Sequence, residues 1–179
     1  PKLENLLNEL SKNKILKNKK IIIFTESKET AEYISDNMIK KFGNIALLYH
    51  GNSSGNIHEL VTDNFDARAR HPKNDYTVLV STEVLSEGVN LHRSNIVLNY
   101  DIPWNPTRMM QRVGRINRVD TKFDSIHTLT FFPTAQSEDA IELRKTAESK
   151  INAFLTLLGD DAAVLTEGEP VGSHELFNR

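Results

Sequence analysis

Ile21-Ile22-Ile23-Phe24-Thr25-Glu26-Ser27-Lys28-Glu29-Thr30-Ala31 is the stretch that decides the fold. Its first four residues are apolar without a break. A strand with one wet face would alternate, so this run predicts a strand covered on both faces, as in parallel sheets. Ser27 then stands where a helix N-cap belongs. Ala31, Ile34 and Met38 mark the buried stripe of the following helix, and Gly43 is its stop. A doubly covered strand leading straight into an amphipathic helix is the first half of a βαβ unit.

The same alternation continues downstream. Ile45 to Tyr49 is a second apolar run, closed by His50-Gly51. Asn56 and Glu59 have the spacing of a capping box for a third helix, through Leu60, Val61 and Phe65. Val78-Leu79-Val80, Ile96-Val97-Leu98 and Ile126 to Phe132 read as further strands. Asn105-Pro106 opens another helix, with Asn as cap and Pro at the first helical position. Residues 137–158 carry Ile141, Ile151, Phe154, Leu155 and Leu158 at near-helical spacing. Upstream, Leu3, Leu6, Leu7 and Leu10 predict an amphipathic helix, followed by a link rich in lysine (Lys12, Lys14, Lys17, Lys19, Lys20). That link reads either as a solvated connector or as a phosphate-binding patch. Together these signals predict a three-layer α/β/α fold with a mainly parallel central sheet.

Composition narrows the function. Of 179 residues, 39% are hydrophobic and 26% charged, which excludes a wholly disordered chain. No apolar run approaches the ~20 residues of a spanning helix, so no membrane partner is expected. The chain starts Pro1-Lys2-Leu3 without an apolar signal core, and reads as a cytoplasmic protein's excised piece. There is no cysteine, and the six histidines lack ligand spacing, so no metal site is expected. The net charge of −2 confines any nucleic-acid contact to a local patch. Arg68, Arg70 and Lys73 either touch such a backbone or are plain surface.

Ligands on open α/β sheets bind beyond the carboxyl ends of the strands. Two stretches in such places carry chemistry. Ser81-Thr82-Glu83-Val84-Leu85-Ser86-Glu87-Gly88-Val89-Asn90 packs hydroxyls, backbone N–H groups and a Gly into one loop, the parts of a phosphate-holding turn or of an ordinary capped connection. In Gln111-Arg112-Val113-Gly114-Arg115-Ile116-Asn117-Arg118, residues Gln111, Arg115 and Arg118 fall on one helix face. No carboxylate stands among them. Gly114 costs about 1 kcal/mol of helix propensity, and permits close approach of another backbone or a ligand. Arg presents a planar fork suited to phosphate oxygens; a solvated basic face is the plainer alternative.

These residues, with Asn99-Tyr100-Asp101-Ile102-Pro103-Trp104-Asn105-Pro106, resemble the C-terminal, second RecA-like domain of superfamily-two helicases, most closely the Swi/Snf-type bacterial branch. The block Gln111 to Arg118 is similar to the family's Gln-x-x-Gly-Arg-x-x-Arg signature, and Glu87-Gly88-Val89-Asn90 resembles the branch's glycine-asparagine loop. DEAD-box relatives usually have His at the place of Gln111 and Asp at that of Asn90. The resemblance covers residues 19–132. With spacing and composition on either side, the expected division is residues 1–18 as an N-terminal helix and lysine-rich link, 19–158 as the RecA-like domain, and 159–179 as an acidic tail or strap.

The resemblance also implies roles. Arg115 and Arg118 align with arginine fingers, Gln111 with the position that organises the γ-phosphate, and Gly88 and Asn90 with the loop joining nucleotide to nucleic acid. Thr82 aligns with a backbone-phosphate contact, with Ser81, His50 and Gly51 beside it. Trp104 is expected to fix the loop ahead of the arginine helix, with contact to a base as the alternative. The cofactor implied is ATP with Mg²⁺, held mainly by an N-terminal RecA-like domain of the same protein, because no G-x-x-x-x-G-K-[ST] occurs here. The chain alone is expected to fold without hydrolysing ATP. The partner track implied is double-stranded DNA. Alternatives are a degenerate RecA-like module that binds nucleic acid or protein without hydrolysis, a conventional RNA- or DNA-unwinding helicase half, and a free-standing nucleotide-binding protein, which the missing phosphate loop disfavours.

Overall fold

The computed structural model describes residues 2–14, 16, 18–82, 89–102, 106–116, 122–131 and positions 142, 145, 146 and 149. Among the described residues up to 131, nine elements follow one another: α1 (Lys2–Lys12), β1 (Ile21–Phe24), α2 (Lys28–Phe42), β2 (Ala46–Tyr49), α3 (Gly55–Phe65), β3 (Val78–Ser81), β4 (Ile96–Asn99), α4 (Pro106–Ile116) and β5 (His127–Thr130). The five strands form one sheet in the order β2-β3-β1-β4-β5, and all its pairings are parallel. The doubly covered run at Ile21–Phe24 lies at the sheet's centre, with all four residues buried.

Side chains alternate between the two faces of each strand. Ile21, Ile23, Val78, Val80, Ile96 and Leu98 join Leu6 and Leu7 of α1 and Ala31, Ile34 and Met38 of α2 in one core. Ile22, Phe24, Leu79 and Val97 join Val61 and Phe65 of α3 and Ile116 of α4 in the other. The expected three layers are therefore present, with α1 and α2 on one face and α3 and α4 on the opposite one.

Local chemistry sets the helix ends. Ser27 accepts from the Thr30 N–H at 3.2 Å and caps α2. Gly43 closes that helix at φ +82°, a left-handed backbone that a side chain would strain. The third helix departs from the expected capping box. Its N-cap is Ser54 rather than Asn56, and no side chain closes the cap. The Ser53 hydroxyl instead accepts from His50 N–H at 2.9 Å, which tightens the turn just ahead. The fifth strand is also shorter than the apolar run suggested, because pairing with β4 ends at Thr130. The predicted helix over 137–158 and the tail lie outside the described residues, apart from four isolated positions.

The lysine link is not uniformly solvated. Leu16 is buried in the first core. Lys20 is half-buried, donates to the Tyr76 carbonyl at 2.7 Å, and lies 4.8 Å from the Phe65 ring. Burial, then repulsion from Arg93, push its ammonium down from the usual 10.5 to about 8. Lys73 is likewise more than plain surface, since it pairs with Asp63 at 2.9 Å. Among the described residues, no helix is long and apolar enough to cross a membrane.

Candidate functional site

The parallel registers align Tyr49, Ser81, Phe24, Asn99 and Thr130 as one row at the carboxyl end of the sheet. The residues just beyond that row are the ones free to face a ligand. His50 follows Tyr49 and Thr82 follows Ser81, and the Thr82 N–H donates to Tyr49 O at 3.3 Å, so the two tips are neighbours. His50 is fixed from three sides. Its N–H donates to Ser53 Oγ, its carbonyl accepts from the Ser53 N–H at 2.8 Å, and its Nδ1 accepts from the Asn52 N–H at 3.2 Å. With Nδ1 accepting, a neutral ring carries its proton on Nε2. Gly51 lies exposed in this turn.

Ser81 does not share that openness. It is fully buried, and its hydroxyl donates to the Thr82 carbonyl at 2.9 Å. It shapes the strand tip, while Thr82 retains 6% exposure. Of the expected phosphate-contact group, His50 and Gly51 lie at the rim, whereas Thr82 and Ser81 are buried at the end of β3.

A second cluster closes the junction of β1 and β4. The Thr25 hydroxyl donates to Asp101, and the Glu26 N–H approaches the same carboxylate at 3.4 Å. Lys2 of α1 pairs with Asp101 at 3.3 Å, and its ammonium also sits 4.4 Å over the Tyr100 ring. Arg108 of α4 reaches Glu26 at 3.5 Å. One carboxylate thus ties the first helix, the end of the central strand and the approach to α4. Residue-by-residue reading of the sequence did not single out Asp101. Its signal was its position directly after a buried strand, on the edge where ligands bind.

The fourth helix carries the Gln/Arg block. Met109, Arg112, Val113 and Ile116 are buried, whereas Gln111 is exposed and Arg115 half-buried. Arg112 retains 2% exposure, donates to Asn99 Oδ1 at 2.5 Å, and stacks 5.0 Å from the Phe24 ring. Asn99 in turn donates to Thr130 Oγ1 at 3.3 Å. A guanidinium can lie this deep because a hydrogen bond and an aromatic face replace water. Arg112 therefore bolts α4 to the sheet, a role the sequence did not announce.

That bolt sets the orientation of the remaining residues. Gln111 and Arg115, four apart, share a face turned away from the core. A Cβ built on Gly114 meets nothing within 4 Å, so the helix surface beside them is open to approach from outside. The Arg115 carbonyl accepts from the Leu91 N–H at 2.9 Å, which brings Asn90 within one residue of α4. Asn90 is half-buried between buried Val89 and Leu91. The structure thus places Asn90 next to the end of the helix that carries Gln111 and Arg115, with His50 and Gly51 following β2 and buried Thr82 following β3. Gly88, Trp104 and Arg118 lie outside the described residues.

The donor set suits phosphate oxygens. It offers a guanidinium and an amide beside open space at Gly114, and lacks the glycine-rich cradle that would enclose a triphosphate. Such residues fit ATP as one wall of a site. Among the described residues no group of three or more His, Asp or Glu side chains could hold a metal ion.

Comparison with known proteins bears on the family and the fold. Residues 1–120 match the model of the helicase conserved C-terminal domain. The "Uncharacterized ATP-dependent helicase YqhH" of Bacillus subtilis is 31% identical over 148 residues, 83% of this chain and 25% of that protein. The "ATP-dependent RNA helicase dbp2" of Neurospora crassa is 36% identical over 124 residues, 69% of this chain and 20% of that protein. The chain therefore spans about a quarter or less of the length of these relatives. Among solved structures, the C-terminal part of the Fun30 ATPase domain superposes with TM-score 0.65 at 21% identity, covering 82% of this chain and 44% of the other. The C-terminal domain of the DEAD-box protein Dbp5 gives TM-score 0.65 at 21% identity, with 92% and 82% covered. The parallel five-stranded sheet is thus that of helicase C-terminal RecA-like domains, and with two-thirds of its length matched by the family's model, the chain belongs to the helicase conserved C-terminal domain family.

Proposed function

We propose that this chain is the second motor domain of a nucleic-acid-dependent ATPase of the Swi/Snf type, working opposite an N-terminal RecA-like domain of the same protein. One observation carries the reading most: buried Arg112 anchors α4, leaving Gln111, Gly114 and Arg115 on an open face beside Asn90. ATP with Mg²⁺ would be held mainly by the opposite domain and supplies the phosphoryl group that is transferred to water. Arg115, and by its place in the signature Arg118, would direct N–H donors at the γ-phosphate oxygens, where charge is redistributed in the transition state. Gln111 would orient the same phosphate. Asn90, with Gly88, would link that site to the rim, where Thr82, His50 and Gly51 would contact phosphates of the track. Such contacts position a backbone and do not read its sequence.

Double-stranded DNA is the track this reading selects, because Gln111 and Asn90 follow the Swi/Snf-type pattern, and no aromatic cluster offers unpaired bases a stacking platform. A second reading, an RNA-helicase half, is favoured by the names of several relatives. The intact arginine pair in Gln111 to Arg118 weighs against a module that only binds. The test is the ATPase rate of the intact protein with matched lengths of duplex DNA, single-stranded DNA and RNA at one salt concentration. Greatest stimulation by duplex DNA, weakening steeply as salt rises, supports the reading. Stronger stimulation by RNA or single strands contradicts it in favour of the second.

A further inference from the structure

The amino ends of the strands hold a second concave feature, opposite the ligand-facing edge and about 13 Å away along four-residue strands. Its volume is about 480 Å³, within the size range of small-molecule pockets. Lys19 and Lys20 line it ahead of β1, His92 and Arg93 ahead of β4, and Lys122 and Phe123 ahead of β5. Three parallel strands therefore deliver four full cations to one cavity, and no carboxylate lines it among the described residues.

The chemistry of these groups is unspent. Arg93 uses three N–H donors, on the carbonyls of Asp63 and Lys73 at 2.8 Å each and on Asn74 Oδ1 at 2.6 Å. All three acceptors are neutral, and a guanidinium has five donors. His92 is 2% exposed, and neither ring nitrogen makes a hydrogen bond among the described residues; Nε2 lies 3.6 Å from Asp66. A buried imidazole without a hydrogen bond is costly; this one has only the longer contact to Asp66 and forms part of the cavity wall. Lys20 is held down to about 8 first by burial and then by repulsion from Arg93, with Asp75 opposing in part.

We propose that this cavity is a binding site for a small phosphate-class anion, either inorganic phosphate or the phosphate of a compact organic monoester. Arg93, Lys19 and Lys122 supply the donors, the buried His92 adds hydrogen-bonding capacity from the wall, and Phe123 offers an apolar surface to an organic portion. The site is separate from the Gln111–Arg115 face and does not depend on the function proposed for it.

The test is heteronuclear NMR titration of the 179-residue chain with inorganic phosphate, with AMP as a monoester, and with chloride at matched ionic strength. Saturable shifts at the His92, Arg93 and Phe123 amides with either phosphate, and none with chloride, are expected. Tighter binding of AMP assigns the organic monoester; equal binding assigns free phosphate. The double variant Lys19→Glu/Lys122→Glu, which leaves the bonds of Arg93 intact, should weaken binding roughly tenfold or more. The charge-matched double variant Lys28→Glu/Lys40→Glu, on α2, should keep affinity within about twofold. Equal shifts with chloride, no saturation at millimolar phosphate, or equal weakening by both double variants would overturn the assignment.

Discussion

Arg112 and Arg115 are three positions apart on α4 and have opposite surroundings. The first is buried against Asn99 and Phe24, the second sits half-exposed beside an open glycine. Removing Arg112 would leave a void under the helix and strip Asn99 of its donor. Arg112→Ala should therefore destabilise the chain by about 2–4 kcal/mol, while Arg115→Ala should change stability by no more than about 1 kcal/mol. Urea unfolding of the two variants against the parent checks this, and equal losses would remove the distinction between anchor and presented group. The spacing of Gln111, Arg115 and Arg118 was legible from the helical repeat alone. The burial of Arg112 was not, because its partner Asn99 lies on a strand 13 residues away and periodicity carries no information about such pairing.

At the scale of elements, the apolar runs marked β1, β3 and β4 to within a residue, since those three strands are buried along their length; polar Ser81 and Asn99 extend β3 and β4 one residue past their runs, and β5 is shorter than its run. Helix starts were less legible. Asn56 and Glu59 had the right spacing for a cap, yet α3 begins at Gly55, because the turn held by His50 and Ser53 already directs the chain. On α4 the glycine gives a sign-informative experiment. With nothing within 4 Å of its Cβ position, Gly114→Ala should stabilise the chain by roughly 0.5–1 kcal/mol through helix propensity. In the intact protein the same change should lower ATP turnover, because a methyl would stand where the opposing domain or nucleotide approaches. Thermal unfolding and steady-state ATPase assays measure the two effects, and unchanged turnover would mean nothing approaches there.

The connector before β1 offers a pH test. A lysine that titrates near 8 when folded and 10.5 when unfolded is penalised wherever both states are protonated. That penalty is present in full below pH 8 and is relieved as pH rises from 8 to 10.5, because the unfolded chain then binds more protons. Lys20→Met removes the dependence. The stability difference between variant and parent should therefore move in the parent's favour by about 1 kcal/mol between pH 7 and 10, allowing for screening of a half-exposed group. Urea unfolding at the two pH values checks it; a difference that does not move would mean the ammonium is not crowded. The partial burial of Lys20 depends on Phe65 and Tyr76, both remote in sequence, so the lysine run alone did not reveal it.

For the whole molecule, the arrangement is a fully parallel sheet with two sets of candidate groups. His50, Gly51 and Thr82 stand at the tips of β2 and β3, and Gln111, Gly114 and Arg115 on α4. Asp101 ties α1 to the centre of that edge, so the helix that opens the chain is mechanically joined to the junction ahead of the arginines. On the function proposed, this layout would be one wall of a site completed elsewhere, and the central claim is that Arg115 acts on ATP held by the opposite domain. The most direct measurement is steady-state ATP hydrolysis and nucleotide affinity of the intact protein carrying Arg115→Ala, with Arg115→Lys beside it. The account predicts a kcat lower by roughly 10³–10⁵, little change in ATP affinity, and poor rescue by lysine, whose ammonium lacks the planar fork. Near-normal turnover in Arg115→Ala, or full rescue by lysine, would contradict it.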